Sequence, residues 1–300
     1  MEKINLIFLG TSGALPSPSR SHPSILINYK EENILIDCGE NTQVQLRKAK
    51  ISPHKITRIL ITHWHGDHVL GIPGLLQTLA LTKYEKPLEI YGPKGTKKFM
   101  KHMLEAFKFK KRFEIKIKEV SKGKIIETEE FKIETEQMKH GTPCNAYSFI
   151  LKDKLRIDKK KLKKSKIPAG PLLKTLLENK TITYKNKKYT AKDLTYLEKG
   201  KKITFIIDTE NNKRIVPFAK NSDILISDST FDKKGKEKAK EHQHLTSEQA
   251  AKNAKAAKVE KLYLTNLSSK HDKNPKVILL EAKKIFKNAS LAKDLLKIQV

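Results

Sequence analysis

The sequence predicts an α/β protein in which two β-sheets lie between outer layers of helix, an αββα sandwich. Three observations lead there. Short apolar runs bounded by turn residues alternate with longer amphipathic stretches. The alternation occurs twice along the 300 residues, as if in two halves. One internal segment breaks the pattern: residues 151–202 hold 18 Lys or Arg against 5 Asp or Glu.

In the first half, strands are expected at 4–9, 24–29 and 33–37, each closed by Gly, Pro, Ser or the Glu-Glu-Asn turn. A further strand at 58–62 runs directly into His63, and 88–91 ends at Gly92-Pro93. Apolar residues at helical spacing predict helices at 42–50, 71–83 and 95–107. The second half repeats the scheme with strands at 203–208, 224–228 and 261–265 and helices at 246–258 and 276–288. We read residues 1–300 as one domain, long enough to bury a substantial core, with 151–202 as an insertion projecting from the sandwich. A flexible, solvated loop is the other reading of that segment.

Composition narrows the function. Net charge is +29, a field that favours polyanionic partners such as nucleic acid. A lysine-biased composition accounts for part of it, since only six of the basic residues are arginines. No run of 18 apolar residues occurs, so no membrane span is expected. The chain opens on an apolar strand without a cationic leader, and a cytoplasmic location is expected. The two cysteines, Cys38 and Cys144, form no CxxC pair, which removes a disulfide framework and a thiolate zinc site. Any bound metal must be held by His and Asp.

The densest chemical signal is Thr62-His63-Trp64-His65-Gly66-Asp67-His68. Three histidines and an aspartate fall within six residues at the end of an apolar strand. Imidazole nitrogens and carboxylate oxygens are the donor set for zinc and related ions. A single histidine there would ordinarily be a hydrogen-bonded loop or core residue; four such residues together are not explained that way. His63 and His65 can reach one ion, Asp67 and His68 a second. Two ions about 3.5–4 Å apart suit phosphoester hydrolysis.

This HxHxDH pattern resembles the signature of the metallo-β-lactamase superfamily. More narrowly, the chain resembles the short form of ribonuclease Z, the tRNA 3′-end endonucleases, nearly end to end. Gly10-Thr11-Ser12-Gly13-Ala14-Leu15-Pro16 resembles the family's opening glycine turn, Asp37-Cys38-Gly39-Glu40-Asn41-Thr42-Gln43 its DCGEGTQ segment, and Ile90-Tyr91-Gly92-Pro93 a later strand end. Ile167-Pro168-Ala169-Gly170-Pro171 resembles the Gly-Pro motif of the family's tRNA-binding arm. The resemblance implies an αββα metallo-β-lactamase sandwich with a projecting basic arm. It makes His140, before Gly141-Thr142-Pro143, the next metal ligand. Asp208 matches the aspartate of a Gly-Asp-Thr motif, with Ile207 in the glycine's place, and would bridge two ions. His244-Leu245-Thr246 resembles a His-x-Thr motif whose histidine lies beside the scissile phosphate; Thr246 reads equally as a helix cap, and His242 is a nearby competitor.

One position departs from the family. Leu264-Thr265-Asn266-Leu267-Ser268 stands where Leu-Thr-His-x-Ser is expected. An amide oxygen is a weak zinc ligand but tolerable for Mg²⁺ or Mn²⁺, and His271 is an alternative donor five residues on. The expected ligands are thus His63, His65, Asp67, His68, His140 and Asp208, for two zinc ions per subunit with a weaker second site or Mn²⁺ or Mg²⁺ there. Asp67 and His244 are the expected catalytic groups. Lys163, Lys164, Lys166, Gly170 and Pro171 are the expected RNA contacts. The implied reaction is cleavage at the 3′ end of precursor tRNA, by a homodimer in which one subunit's arm serves the other's site. Two other readings stay open: a small-molecule phosphodiesterase or esterase on the same scaffold, and a tRNA-binding protein whose metal site has decayed.

Overall fold

A computed structural model describes residues 3–107, 112–168 and 170–300; Ala169 of the Gly-Pro segment lies outside the described residues. The chain divides into two compact units. One comprises residues 1–127, 133–149 and 202–300, and the other residues 128–132 and 150–201.

The larger unit is built on two seven-stranded sheets. The first runs in the order Lys297–Gln299, Asn5–Gly10, Ser24–Tyr29, Glu32–Ile36, Arg58–Leu60, Leu88–Gly92, Ile115–Glu119. Its first pairings are antiparallel and its last three parallel. The second runs Ala289–Leu291, Lys261–Thr265, Ile224–Asp228, Lys202–Ile206, Cys144–Leu151, Phe131–Met138, Lys122–Glu127, with parallel pairing among the first four.

Side-chain alternation decides the layers. Ile7, Leu9, Leu26, Leu35 and Ile59 share one apolar cluster with Leu46 of helix Thr42–Lys48, Leu75, Leu76 and Leu79 of helix Gly71–Leu81, and Met100 of helix Thr96–Ala106. Phe8, between Ile7 and Leu9, turns the other way and meets Tyr263 of the second sheet at 5.6 Å between ring centroids. Leu225, Leu262 and Leu264 of the second sheet pack with Ala250, Ala251 and Ala254 of helix Ser247–Ala256 and with Ile278 and Ala282 of helix Lys276–Lys283. The order is therefore helix, sheet, sheet, helix. Strands buried on both faces read as continuous apolar runs, which is why these were legible. Each fully buried Leu or Ile contributes roughly 1.5–3 kcal/mol.

The elements differ from expectation mainly at their ends. Helix 42–50 stops at Lys48, before the left-handed Lys50 (φ 61°), and helix 246–258 stops at Ala256, before the left-handed Lys258 (φ 55°). Four strands between 115 and 151 were not expected. Ile115–Glu119 and Lys122–Glu127 are largely exposed and lysine-rich, as an edge strand is.

The smaller unit has its own apolar cluster of Ile167, Leu176, Ile182 and Leu194, which an unstructured loop would lack. Its helix Lys159–Ser165 is capped by the Asp158 carboxylate, which accepts from the amides of Lys160 (2.9 Å) and Lys161 (3.1 Å). Lys163, Lys164, Lys166, Gly170 and Pro171 are all exposed, Pro171 opening helix Pro171–Leu177. No helix among the described residues is long and apolar enough to cross a membrane.

Candidate metal centre

The site forms where strands of both sheets end. Asp37 follows Glu32–Ile36, Thr62 and His63 follow Arg58–Leu60, Asp208 follows Lys202–Ile206, Asp228 closes Ile224–Asp228, and Asn266 follows Lys261–Thr265. Polar groups collect at the carboxyl ends of parallel strands because the chain must leave the sheet there and its side chains are released from packing. Asp37, Asp208 and Asn266 leave in the left-handed conformation, with φ of 59°, 53° and 59°, a region that Asp and Asn tolerate better than other side chains. At the Asp208 turn it is Asp208 and not Ile207 that is left-handed, so the isoleucine in glycine's place costs no backbone strain. Asn41, also a glycine in the resembled segment, is left-handed as well (φ 71°).

Two donor groups result. In the first, His65 Nδ1 lies 2.9 Å from His63 Nε2 and 3.3 Å from His140 Nε2, three imidazoles facing one point. In the second, His68 Nε2 lies 3.3 Å from Asp67 Oδ2 and 3.2 Å from Asp208 Oδ2. The same Asp208 oxygen is 3.7 Å from His63 Nε2, so it stands between the groups. His244 closes a third cluster with His140 and Asp208. All six expected ligands and His244 are thus brought together. His271 is not among the three clusters, and Asn266 turns its amide nitrogen to Asp208 Oδ1.

The donor chemistry fits a divalent ion pair. His68 is fully buried; its Nδ1 donates to Asp37 Oδ2 (2.7 Å), while its Nε2 is aligned for a hydrogen bond with neither flanking carboxylate and has no partner. A buried ring nitrogen without a partner, facing two carboxylates, is a point where a cation fits. Burial opposes a charged His68, yet Asp208 and Asp37 outweigh it and hold the ring well above its ordinary pKa, so this point calls for positive charge. Burial, reinforced by the neighbouring imidazoles, keeps His63 well below the ordinary histidine range and lowers His65, which leaves both neutral as ligation requires. Burial would raise Asp208, but His68 and His244 hold it well below the carboxylate range. Asp67 is likewise lowered, the neighbouring His68 overcoming burial.

The outer partners fix each ring, and these were not foreseen. Asp37 accepts from Thr62 N (2.7 Å), Thr62 Oγ1 (2.8 Å) and His68 Nδ1. His140 Nδ1 faces the Gln243 carbonyl at 3.0 Å, which selects the tautomer with Nε2 free to ligate. His244 Nδ1 pairs with Asp228 Oδ2 at 2.9 Å, and Thr230 donates to Asp228 Oδ1 at 2.6 Å. Burial would lower His244, but Asp228 and Asp208 push it up to about 9. Asp37 and Asp228 carried one usable signal: like Asp208, each is an aspartate ending an apolar strand. The cap role of Thr246 is real too, in a reciprocal box with Gln249.

The chain is similar to known proteins in sequence and in fold. A family model described as "Anti-Pycsar protein Apyc1" matches residues 4–167, which include the His63–His68 loop and His140. Ribonuclease Z of Oceanobacillus iheyensis is 39% identical over 302 residues, covering 97% of this chain and 98% of that one. The chain belongs to the ribonuclease Z family. Among solved structures, human tRNase Z, short form, superposes with a TM-score of 0.72 at 26% identity over 98% of both chains. The metallo-β-lactamase fold protein YhfI of Bacillus subtilis matches at 0.73 with 18% identity over the full length of both, which shows the fold. The αββα metallo-β-lactamase sandwich is therefore the fold of this ribonuclease Z family member, and metal-dependent RNA hydrolysis is its class of activity.

Proposed function

We propose that this protein hydrolyses the phosphodiester at the 3′ end of precursor tRNA, leaving a 3′-hydroxyl on the tRNA and a 5′-phosphate on the released trailer. The observation that carries the proposal is the pair of donor groups sharing Asp208, with His244 beside them. His63, His65 and His140 would hold one ion, and Asp67, His68 and Asp208 a second, zinc being the expected metal at two per subunit. Ions so held polarise phosphoryl oxygens and make water a usable nucleophile near neutrality. Asp67, kept ionised, accepts the proton of the attacking water at its carboxylate. His244 holds Nδ1 on Asp228 and leaves Nε2 to protonate the departing O3′ as the P–O3′ bond breaks. Its raised pKa keeps it in the proton-donating form through neutral pH.

The basic segment 151–202 would bind the tRNA body, with Lys163, Lys164, Lys166 and the Gly170-Pro171 turn reading phosphates and helix shape. A homodimer and a cytoplasmic location belong to the same reading. The test is metal content together with cleavage of precursor tRNA and of bis(p-nitrophenyl) phosphate. Metal-dependent cleavage of the precursor at the trailer junction is expected. Hydrolysis of the small ester alone would favour a small-molecule phosphodiesterase. Binding of tRNA without cleavage of either substrate would mean the site has decayed.

A further inference from the structure

Asn266 stands where the family places a metal-ligating histidine, and its contacts assign it another task. Its Nδ2 donates to Asp208 Oδ1 and, at 3.2 Å, to Thr230 Oγ1. Its Oδ1 is buried without a partner, on the side of Gly13. The surrounding network fixes this orientation of the amide. The Thr230 hydroxyl is 2.6 Å from Asp228 Oδ1 and 2.9 Å from the Asn266 carbonyl, so its single hydrogen is spent on an acceptor and a lone pair is left for Nδ2. Turning the amide over would press Oδ1 against a carboxylate oxygen and leave Nδ2 buried and unpaired.

The consequence falls on Asp208. Asn266 occupies Oδ1, and Oδ2 is the oxygen facing His68 Nε2 (3.2 Å) and His63 Nε2 (3.7 Å). One oxygen is tied back to the protein and the other is presented to both donor groups. We propose that Asn266 is not a metal ligand but a positioning residue, which clamps the carboxylate of Asp208 so that Oδ2 bridges the two ion positions. The second position is then completed by Asp67, His68 and Asp208 alone, and neither Asn266 nor His271 contributes a donor. Thr230 extends the clamp: it also holds Asp228, the partner of His244. A continuous hydrogen-bonded path therefore joins the bridging carboxylate to the proton donor. A histidine at 266 would give a ligand but could not donate to Asp208 while ligating through the same edge of its ring.

The inference rests on the metal-centre reading above, and the experiment separates the two. Zinc affinity and stoichiometry of the metal-free protein are measured by competition with a chromophoric chelator, for wild type, Asn266→Gly, Asp208→Asn and the double variant. Glycine is chosen because it removes the amide without straining the left-handed backbone at 266. Asn266→Ser, which removes the amide without adding a carboxylate, serves if the glycine variant does not fold. Outer partners of metal ligands typically change affinity 10–100-fold, and Asn266→Gly should weaken zinc binding by roughly that factor. Because it acts through Asp208, it should cause no further loss in the Asp208→Asn background. Equal losses in both backgrounds would make Asn266 a ligand in its own right and overturn the proposal, as would unchanged affinity in the wild-type background. Absence of zinc binding by the wild type would overturn the metal centre itself.

Discussion

The substitution Asp37→Asn isolates the outer support of the centre without touching an expected ligand. Asp37 is fully buried, and its two oxygens accept from Thr62 N, Thr62 Oγ1 and His68 Nδ1 at 2.7, 2.8 and 2.7 Å. Asparagine keeps the shape but has one acceptor oxygen. The backbone amide of Thr62 can only donate, so the new oxygen must face it, at the Oδ1 position. The new NH₂ then faces His68 Nδ1, which can meet it only as an acceptor. The ring proton moves to Nε2, the nitrogen that should ligate. Comparable losses of a carboxylate behind a ligating histidine cost 10–100-fold in metal affinity, about 1.4–2.7 kcal/mol. The loss should fall on the second ion, because His63, His65 and His140 do not contact Asp37. Chelator competition resolves the two affinities, and nitrogen chemical shifts of the His68 ring report its tautomer. A second ion bound as tightly as in the wild type, with His68 still protonated at Nδ1, would refute the reasoning.

Other outcomes follow from the same geometry. His63→Ala or His65→Ala should abolish precursor cleavage and lower bound metal, since each removes a ligand from the three-imidazole group; full activity in either variant would remove that group from the mechanism. Deleting residues 155–198 should damage precursor tRNA cleavage far more than hydrolysis of bis(p-nitrophenyl) phosphate, because remote binding serves only the large substrate; equal damage to both would give the segment a folding role. His244, its pKa raised by its pairing with Asp228, should give the pH–rate profile an alkaline limb as the proton donor is titrated away. Asp228→Asn removes a charge that raises this pKa, so the alkaline limb should move to lower pH in a pH–rate profile; an unmoved limb would assign it to another group.

Much of the fold was legible because buried parallel strands are written as unbroken apolar runs, such as Ile224-Leu225-Ile226 and Ile203–Ile207. Of the strands missed between 115 and 151, the first two answer to water as much as to the core, whereas Cys144–Leu151 is largely buried and its apolar run is broken by Asn145 and Ser148. Ile115-Lys116-Ile117-Lys118 alternates in the right period, but its lysines and partly exposed isoleucines give no apolar run to detect. The metal loop was legible because its four ligands fall within six residues. His140, Asp208 and His244 lie far apart in sequence and meet only through the sheet edges, so the residues alone could not join them; the family resemblance did. Asp37 and Asp228 were missed for a different reason: they bind no expected metal and act through His68 and His244, whose rings they hold. The role of Asn266 turns on which way one amide faces, and that is decided by Thr230 and Asp208, which no spacing rule connects to it.

Charge distribution separates grip from chemistry, though not completely. Residues 151–202 carry +13 of the chain's +29, so +16 lies on the remainder. RNA affinity in such a field arises largely from counterions released as phosphates are neutralised, and it falls steeply with salt. If the basic segment were the sole source of binding, a variant lacking 155–198 would retain no salt dependence. The excess positive charge on the rest of the chain predicts otherwise: weaker tRNA binding, with a slope of log affinity against log salt that is reduced and still negative. Filter binding of precursor tRNA over a range of salt concentrations measures both quantities. A slope unchanged by the deletion would place the phosphate contacts on the sandwich, and a slope of zero would place them all on the segment. The intermediate value is what the observed partition of charge requires.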